Sequence, residues 1–272
     1  MIVTSYLMGG LGNQMFQIAK AKTEGLKNNI DVVFRPVSFI PMEGNQPTKY
    51  INNIFRNLKF DNITDPLLRI SEPSWSYSQI DPLYHTDTEF YGYFQSSKHF
   101  GEYQNEIRQL YQPTKEFIDK IKNLYPLAFE GDSISIHVRR GDYTSVSDVL
   151  PVVDKSYLDE CLRLINKKGH IFIFSNDKDW VEKNLNYTNS TIVRGLDDYE
   201  ELWMMSLCEI NIMSNSSFSW WGSYLNKNIN KKVFVPSIWF GPKGEQNYMD
   251  IYEKEWIRIN VQYSGGRLVH IK

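Results

Sequence analysis

Short apolar runs alternate with amphipathic stretches through the second half of the chain. The runs, rich in β-branched residues, predict strands at Ser133–Val138, Ile171–Phe174, Thr191–Val193, Glu209–Met213 and Lys232–Val235. In the stretches between them, apolar residues recur every third or fourth position, which predicts helices at Ser156–Lys167, Lys178–Leu185, Asp198–Leu207 and Phe218–Asn226. Strands that alternate with helices of this length form a parallel sheet through right-handed crossovers, with helices on both faces. The second half therefore predicts a Rossmann-type lobe, whose ligand binds at the carboxyl ends of the strands.

The first half opens with another strand and helix and then becomes irregular. Its pattern predicts a strand at Ile2–Leu7, a helix from about Met15 to Asn28, a strand near Val32–Phe34 and helices near Ser97–Tyr111 and Thr114–Tyr125. Prolines interrupt the short patterns between Arg35 and Ser97, at Pro36, Pro41, Pro47, Pro66, Pro73 and Pro82. The start of the chain therefore predicts a second βαβ lobe.

Two breaks in the pattern set the expected limits of the lobes. Pro126, Gly131 and Asp132 interrupt a helical pattern, so we expect an N-terminal lobe of residues 1–130 and a C-terminal lobe of residues 131–272. The segment from Ser264 to Lys272 contains a glycine pair and lacks clear periodicity, so we expect a frayed tail or an added sequence. The expected fold class is α/β, with two Rossmann-type lobes that face a cleft.

Composition and charge narrow the class of protein. A chain of 272 residues that is 42% hydrophobic can bury a core of ordinary size, and its formal net charge of -2 argues against nucleic acid as the main partner. Cys161 and Cys208 have neither metal-site nor redox spacing, so we expect buried free thiols in a reducing compartment. The start, Met1 to Leu7, has no basic leader, and no apolar run is long enough to span a bilayer. We therefore expect a cytoplasmic protein and leave open its oligomeric state and any peripheral contact with a membrane.

The strongest chemical signal is the motif His137-Val138-Arg139-Arg140-Gly141-Asp142-Tyr143, which begins at a predicted strand end. A diphosphate would explain two adjacent arginines there, because the guanidinium fork matches phosphate oxygens. The alternative is an ion-paired loop in which Asp142 neutralises Arg140. Both interpretations place Arg139 and Arg140 at the ligand-binding edge of the sheet.

Polar motifs follow two further predicted strands. They are Phe174-Ser175-Asn176-Asp177 and Ser214-Asn215-Ser216-Ser217-Phe218-Ser219-Trp220-Trp221-Gly222. In the second, hydroxyls and backbone amides precede a helix, which is an arrangement that binds phosphate through unpaired N–H groups. An ordinary helix cap by Ser216 or Ser217 is the alternative. Three polar motifs at the ends of three strands predict one shared site.

Two other kinds of site compete for these motifs. Asp177-Lys178-Asp179 fits a manganese-binding pattern, but the arginines already supply positive charge and Asp179 suits a helix start, so we expect no metal. The segment Gly10 to Met15 resembles a dinucleotide fingerprint, yet Met15 replaces the small last residue and Asp31 precedes the next strand instead of ending it. Asn13 and Gln14 would instead suit sugar hydroxyls or a phosphate oxygen, although a turn that needs glycine only for its backbone remains an alternative.

At these residues the chain resembles bacterial and animal α1,2-fucosyltransferases, which are inverting enzymes of the GT-B type. The resemblance spans nearly the whole chain and rests on Gly9 to Gln17, Gly92 to Ser96, His137 to Asp142, Phe174 to Asp177 and Ser214 to Gly222. It implies a C-terminal lobe that binds GDP-fucose, an acceptor-side N-terminal lobe and transfer without a metal.

The resemblance also implies roles for particular residues. Arg139 would grip the diphosphate, His137 and Asp177 would contact the guanine or its ribose, and the loop from Ser214 to Phe218 would wrap the phosphates. Asn13 would reach the donor from the N-terminal lobe. The full set expected at the donor is Gly10, Gly12, Asn13, His137, Arg139, Arg140, Ser175, Asn176, Asp177, Ser214, Asn215, Ser216, Ser217 and Phe218.

The catalytic and acceptor-side residues are less constrained. We expect Arg139 and Asn13 to act in catalysis, and Asp142 is the best-placed carboxylate for a base, although pairing with Arg140 also explains it. Acceptor contacts are expected from the aromatic and amide side chains Trp75, Tyr77, Tyr91 and Gln95.

The expected activity is therefore transfer of fucose from GDP-fucose to a terminal galactose of a glycan, as in the assembly of surface polysaccharides. The same chemistry with another linkage or another GDP-sugar is the nearest alternative. A glycan-binding protein without activity and a nicotinamide-dependent oxidoreductase are alternatives from other classes. The sequence leaves the acceptor and the base unidentified.

Overall fold

The chain divides into two compact units. Unit 1 consists of Met1–Gln112 and Met249–Glu253, and unit 2 of Pro113–Tyr248 and Lys254–Lys272. The structure, a computed structural model, describes residues 1–37, 45–64, 67–81, 86–165 and 168–271. Pro41, Pro66, Pro82, Lys272 and the predicted helix end at Lys167 lie outside the described residues.

Unit 1 contains a parallel sheet of four strands. Its elements are β1 (Ile2–Ser5), α1 (Leu11–Asn28), β2 (Asp31–Val32), β3 (Leu68–Ser71), β4 (Thr88–Tyr91) and α2 (Gln104–Leu110). The strand order is β2-β1-β4-β3, and every pairing is parallel. Helix α1 begins at Leu11, earlier than the predicted Met15, because the extended Gly10 caps it and the carbonyl of Gly10 accepts the N–H groups of Asn13 and Gln14.

Unit 2 contains a parallel sheet of six strands. Its elements are α3 (Lys115–Leu124), β5 (Ile134–Val138), β6 (Val152–Val153), α4 (Lys155–Ile165), β7 (Ile171–Ser175), α5 (Lys178–Asn184), β8 (Ser190–Ile192), α6 (Asp198–Leu207), β9 (Ile210–Ile212), α7 (Ser217–Tyr224), β10 (Lys232–Pro236), β11 (Ile257–Ile259), β12 (Val261–Ser264) and β13 (Arg267–His270). The main sheet has the order β11-β10-β9-β5-β7-β8. Renumbered from β5, this is the doubly wound order 3-2-1-4-5-6, in which the direction of winding reverses between β5 and β9.

The core of unit 2 explains why its strands were predictable. All residues of β5 and β7 are buried, as expected for central parallel strands covered by helices on both faces. The apolar side of α4, with Leu158 and Cys161, packs into the same core as Ile136 and Ile173. The expected α/β class is therefore confirmed, and the polar residues that follow β5, β7 and β9 all lie at one edge of this sheet.

Residues 113–130 belong to unit 2. The first unit therefore ends at Gln112, whereas the sequence predicted a boundary after residue 130. Helix α3 places Phe117 against Trp203 of α6, with ring centroids 5.1 Å apart. Lys120 Nζ also donates to Glu200 Oε1 at 2.6 Å. The break at Pro126–Phe129 is a short 3₁₀ turn inside unit 2.

The C-terminal segment is an ordered hairpin. Strand β12 pairs antiparallel with β13, and β13 pairs parallel with β6. Gly265 and Gly266 form the turn with positive φ angles, and Leu268 is fully buried. The expectation of a frayed tail is therefore wrong for Ser264–Ile271, because the glycine pair that seemed to end the fold is the turn of the hairpin.

Candidate active site

His137 of β5 and Ser214, which follows β9, lie together in unit 2. The direction in which the chain winds across the sheet reverses between these two strands. His137 Nδ1 lies 2.8 Å from Ser214 Oγ, and the imidazole contacts the Phe218 ring at a centroid distance of 5.3 Å. Burial, with a smaller effect of the Arg139 charge, lowers the pKa of His137 to about 3. The imidazole is therefore neutral at physiological pH and acts through hydrogen bonds and packing.

Arg139 follows β5 at this edge and retains unused hydrogen-bonding capacity. Its Nη2 donates to Asp142 Oδ2 at 2.9 Å, and its guanidinium lies 5.3 Å from the centre of the Tyr143 ring. Among the residues that the structure describes, its buried Nε has no hydrogen-bond partner. The side chain is 32% exposed. A half-buried guanidinium with an unpaired donor suits an anionic ligand.

Arg140 has a different environment from its neighbour. Its guanidinium lies 4.0 Å from the centre of the Trp180 ring, and its Nε donates to Asp177 Oδ2 at 3.3 Å. Asp177 Oδ1 accepts the backbone N–H of Trp180 and so caps helix α5. Asp142 pairs with Arg139 rather than with Arg140, which corrects the pairing expected from the sequence. Arg140 instead contacts Asp177, the N-cap of α5, and Trp180 in the first turn of that helix.

Ser175 and Asn176 connect the ends of the neighbouring strands β5 and β7. Ser175 Oγ donates to the carbonyl of Val138 at 2.7 Å, and Asn176 Oδ1 accepts the backbone N–H of Arg140 at 2.9 Å. Gly141 is required here, because a Cβ on it would collide with the Asn176 amide. These side chains fix the path of the chain that carries both arginines.

The loop from Ser214 to Phe218 uses its side chains mainly within the fold. Asn215 Nδ2 donates to the carbonyls of Pro151 and Trp239, at 3.0 and 2.8 Å. Ser216 caps α7, as the alternative interpretation of the sequence had it, and accepts the N–H of Phe218. The first turn of α7 contains no acidic residue, so the positive end of its dipole is not compensated there. A phosphate at this edge would meet the helix terminus rather than a row of hydroxyl groups.

In unit 1, Asn13 and Gln95 are joined by a hydrogen bond. Gln95 Nε2 donates to Asn13 Oδ1 at 2.9 Å, and Gln95 is only 8% exposed. Gly10 precedes α1 as its cap, and Gly12 is buried in the first turn of the helix. Gln14 Nε2 donates to the carbonyl of Gly9 at 3.0 Å, which holds the turn before the helix. Gln14 is therefore a structural residue.

The expected acceptor-side aromatic residues also lie in unit 1. Tyr91, at the end of β4, lies 5.5 Å from the Tyr6 ring, and Trp75 stacks on Tyr93 at 5.3 Å and an interplanar angle of 18°. The backbone N–H of Tyr77 donates to an oxygen of the Asp250 carboxylate. The structure thus places all four expected acceptor residues in one unit, although Gln95 is occupied by Asn13.

Sequence reasoning missed two side chains of the arginine loop. Tyr143 packs against Arg139, and its hydroxyl lies 3.4 Å from the Asn215 carbonyl. Trp180 carries the stacking contact with Arg140. Tyr143 belongs to the arginine motif, but the sequence analysis gave it no role. The contact of Trp180 could have been predicted from its position in the helix turn that follows Asp177.

The described residues contain neither a cluster of metal ligands nor a membrane-spanning helix. In the described ranges, no group of three or more His, Cys, Asp or Glu side chains could hold a metal ion. Asp177 is used by the cap of α5 and by Arg140. The same ranges contain no helix that is both long and apolar enough to cross a bilayer.

The doubly wound sheet and the polar residues at the carboxyl ends of β5, β7 and β9 define a class of α/β protein. Proteins of this class bind their ligand where the winding of the chain reverses. The chain belongs to glycosyl transferase family 11, whose model matches residues 2–260. It is therefore an enzyme, a glycosyltransferase, and the family expected from the sequence motifs is confirmed.

Two of three relatives cover almost the whole chain. An Escherichia coli protein named alpha-1,2-colitosyltransferase is 29% identical over 95% of this chain and 99% of its own length. The O-antigen biosynthesis glycosyltransferase WbnK of Escherichia coli is 28% identical over 62% of this chain and 60% of its own. The galactoside alpha-(1,2)-fucosyltransferase 1 of Alouatta caraya is 24% identical over 96% of this chain and 75% of its own length.

Solved structures show the same fold. The fucosyltransferase NodZ from Bradyrhizobium superposes with a TM-score of 0.52 and 12% identity, over 81% of this chain and 90% of that one. POFUT1 in complex with GDP-fucose gives a TM-score of 0.50 at 12% identity, over 86% of this chain and 96% of that one. At this identity the likeness shows the fold, which is α/β of the GT-B type as expected.

Proposed function

We propose that this enzyme transfers L-fucose from GDP-β-L-fucose to a hydroxyl of a terminal galactose, forming an α1,2 linkage with inversion. The observation that carries the proposal is the unpaired buried donor of Arg139. It lies at the edge where doubly wound sheets generally bind their ligands. The names of relatives that are α1,2-transferases support the linkage. The name of WbnK supports a glycan acceptor of surface polysaccharide assembly.

The mechanism is a single in-line displacement at the anomeric carbon. The acceptor oxygen attacks while negative charge develops on the departing diphosphate, and Arg139 stabilises that charge. Fixed donors act most strongly where charge develops, so loss of Arg139 should lower turnover on the order of 100-fold or more. The N-terminal end of α7 offers backbone N–H groups to the same diphosphate. We propose that transfer needs no metal, since the arginine and the helix end supply the positive charge.

Asp142 is better placed to orient Arg139 than to act as the base. Its Oδ2 accepts from Arg139 and its Oδ1 lies 3.4 Å from Asn176 Nδ2, so both carboxylate oxygens have partners. We therefore propose that Asp142 supports catalysis by holding Arg139 and that the proton of the acceptor hydroxyl is taken by another group.

GDP release from GDP-fucose, with lactose as acceptor and EDTA present, tests the proposal. The wild-type enzyme should release GDP, and Arg139→Ala should not. Arg163→Ala is a matched control, because Arg163, although more exposed than Arg139, also pairs with a carboxylate three residues away, that of Glu160. NMR of the product should show an α linkage at the galactose 2-hydroxyl. Release that stops in EDTA, or that continues in Arg139→Ala, would contradict the mechanism.

A second donor follows from one comparison. One relative that matches nearly end to end carries the name of a colitosyltransferase. GDP-colitose should therefore be compared with GDP-fucose in the same assay. A higher kcat/KM with GDP-colitose would replace fucose in the proposal and leave the GDP site unchanged.

Binding measurements test the nucleotide of the donor. Thermal stabilisation by GDP, and not by UDP or dTDP, is expected. Stabilisation by UDP or dTDP in place of GDP would replace GDP-fucose in the proposal.

A further inference from the structure

Arg139 is held by two neighbours in the arginine loop, residues 139–145. Its Nη2 donates to Asp142 Oδ2 at 2.9 Å, and its guanidinium lies 5.3 Å from the centre of the Tyr143 ring. The carboxylate and the ring both attract the cation and so restrict its orientation. The orientation that they select leaves the buried Nε without a hydrogen-bond partner among the residues that the structure describes.

The turn that carries these two neighbours has little packing of its own. It is a 3₁₀ turn over Gly141–Ser145, and none of its residues is fully buried. Thr144 Oγ1 and Ser145 Oγ donate to the carbonyls of Gly141 and Asp142, so both hydroxyls bond within the turn. A segment with few buried contacts opens at a low free-energy cost unless longer-range contacts hold it. The position of Arg139 therefore depends on contacts that the turn makes with the rest of unit 2.

Tyr143 makes such a contact with the segment that follows β9. Its hydroxyl lies 3.4 Å from the Asn215 carbonyl oxygen, 72 residues away in sequence, and interacts with the Ser216 side chain. Partial burial raises the pKa of Tyr143, so the hydroxyl keeps its proton at neutral pH and can donate. Tyr143 thus contacts Arg139 with its ring and a distant segment with its hydroxyl.

The segment that Tyr143 reaches is firmly fixed. Asn215 is 1% exposed, and its Nδ2 donates to the carbonyls of Pro151 and Trp239 at 3.0 and 2.8 Å. The next residue, Ser216, is also buried and caps helix α7. A buried side chain that bonds to two different loops cannot shift without breaking both bonds. Tyr143 therefore ties the turn to a part of unit 2 that has one position.

We propose that Tyr143 is a positioning residue for Arg139. Its ring limits the orientations of the guanidinium, and its hydroxyl ties the arginine loop to the segment that follows β9. Arg139 then keeps the orientation in which Nη2 bonds to Asp142 and Nε stays unpaired until the diphosphate binds. This inference rests on the proposed function, in which Arg139 stabilises the departing diphosphate. Tyr143 needs no contact of its own with either substrate.

Two substitutions separate the ring from the hydroxyl. Tyr143→Leu removes both, and Tyr143→Phe removes the hydroxyl alone. A guanidinium that samples more orientations stabilises the transition state less, so kcat should fall roughly tenfold or more in Tyr143→Leu and roughly threefold in Tyr143→Phe, with KM for lactose unchanged. Tyr125→Phe is the matched control, because the Tyr125 hydroxyl donates to the Arg194 carbonyl in the same unit. Wild-type kcat in Tyr143→Leu, or a raised KM for lactose, would contradict the proposal.

A double-mutant cycle on the Kd for GDP decides whether Tyr143 acts through Arg139. This constant can be measured even where turnover is lost. Arg139→Ala should raise the Kd roughly tenfold, since one charge-assisted contact is removed, and Tyr143→Leu should raise it less. Adding Tyr143→Leu to Arg139→Ala should cause no further rise. Additive losses would make Tyr143 a contact of its own with the nucleotide and overturn the inference.

The Nε–H resonance of Arg139 gives a readout that does not depend on activity. It is assigned by its loss in Arg139→Ala. Tyr143→Phe keeps the ring beside the guanidinium, so a shifted resonance with faster hydrogen exchange in this variant reports a change in the orientation of Arg139. Both changes are expected in Tyr143→Phe and neither in Tyr125→Phe, and an unchanged resonance in Tyr143→Phe would overturn the inference even in an active enzyme. If the wild-type enzyme neither binds GDP nor releases it, the proposed function fails, and the NMR result still decides whether Tyr143 positions Arg139.

Discussion

The two adjacent arginines should separate stability from activity. Arg139 makes a partly exposed pair with Asp142 and keeps an unpaired donor, whereas Arg140 stacks on Trp180 and bonds to Asp177. Replacing Arg140 with alanine removes contacts that the folded protein already makes. Replacing Arg139 removes mainly the capacity to bind a ligand. We therefore expect the first variant to lose stability and the second to lose turnover.

The expected loss of stability in each variant follows from the environment of the arginine side chain. Arg140 is 17% exposed, so its cation–π contact is worth about 1 to 2 kcal/mol and its bond to Asp177 about 1 kcal/mol. A loss of about 2 to 3 kcal/mol lowers the Tm by about 5 to 10 °C in a protein of this size. The Arg139–Asp142 pair is a third exposed on each side and worth at most about 1 kcal/mol, so Arg139→Ala should shift the Tm by less than about 4 °C.

Thermal unfolding and GDP release, measured on the same preparations, test this division. Arg139→Ala should keep its Tm and lose about 100-fold in turnover. Arg140→Ala should lose the Tm difference given above and, below its Tm, retain at least about a tenth of the activity, since one supporting hydrogen bond is lost. Trp180→Ala should reproduce the loss of stability, and the double variant should lose less than the sum. An Arg140→Ala variant with wild-type Tm and no activity would refute the reasoning.

Three further outcomes are expected. Burial lowers the pKa of His137 and His99 to about 3, whereas an unfolded histidine titrates near about 6.5, so the unfolded chain binds more protons on acidification and the free energy of unfolding should fall from about pH 7 to 4. Urea midpoints should show this fall, and each His→Gln variant should reduce it; a flat profile would contradict the burial argument. Gly266→Ala should lower the Tm more than Gly265→Ala, because both have positive φ but only a Cβ on Gly266 meets Ser147, at 2.5 Å from its Oγ; equal losses would count against that contact. Both cysteine thiols are buried with raised pKa values, so a thiol reagent at pH 8 should label them only after denaturant is added, and fast labelling of the native enzyme would contradict their burial.

The fold of unit 2 was predictable because its strands are central. Every residue of Ile134–Val138 and Ile171–Ser175 is buried, and the predicted helix Asp198–Leu207 agrees with α6 at both ends. Strands buried on both faces are rich in apolar residues and so stand out in the sequence, which a short edge strand does not. Strand β3 has partly exposed and exposed residues, and the proline-interrupted pattern around it gave no sign of a strand.

The partners within the site were not predictable. Sequence spacing placed Asp142 near both arginines, but the choice of Arg139 depends on the direction in which the chain turns after β5. That turn is set by Ser175 and Asn176 on the neighbouring strand, a contact between residues far apart in sequence. The bond between Gln95 and Asn13 was hidden for the same reason, since the left-handed Phe94 that aims Gln95 has no signature in the sequence.

The return of Met249–Glu253 to unit 1 has a consequence for biosynthesis. A ribosome releases Met1–Gln112 long before it adds Asp250, whose carboxylate and carbonyl accept from Tyr77 and Ser96. During translation of most of the second unit, the nascent first unit therefore lacks the hydrogen bonds to Asp250. A gene fragment that ends at Gln112 would encode a unit without these bonds, so the two units are poor candidates for exchange as separate modules between related enzymes.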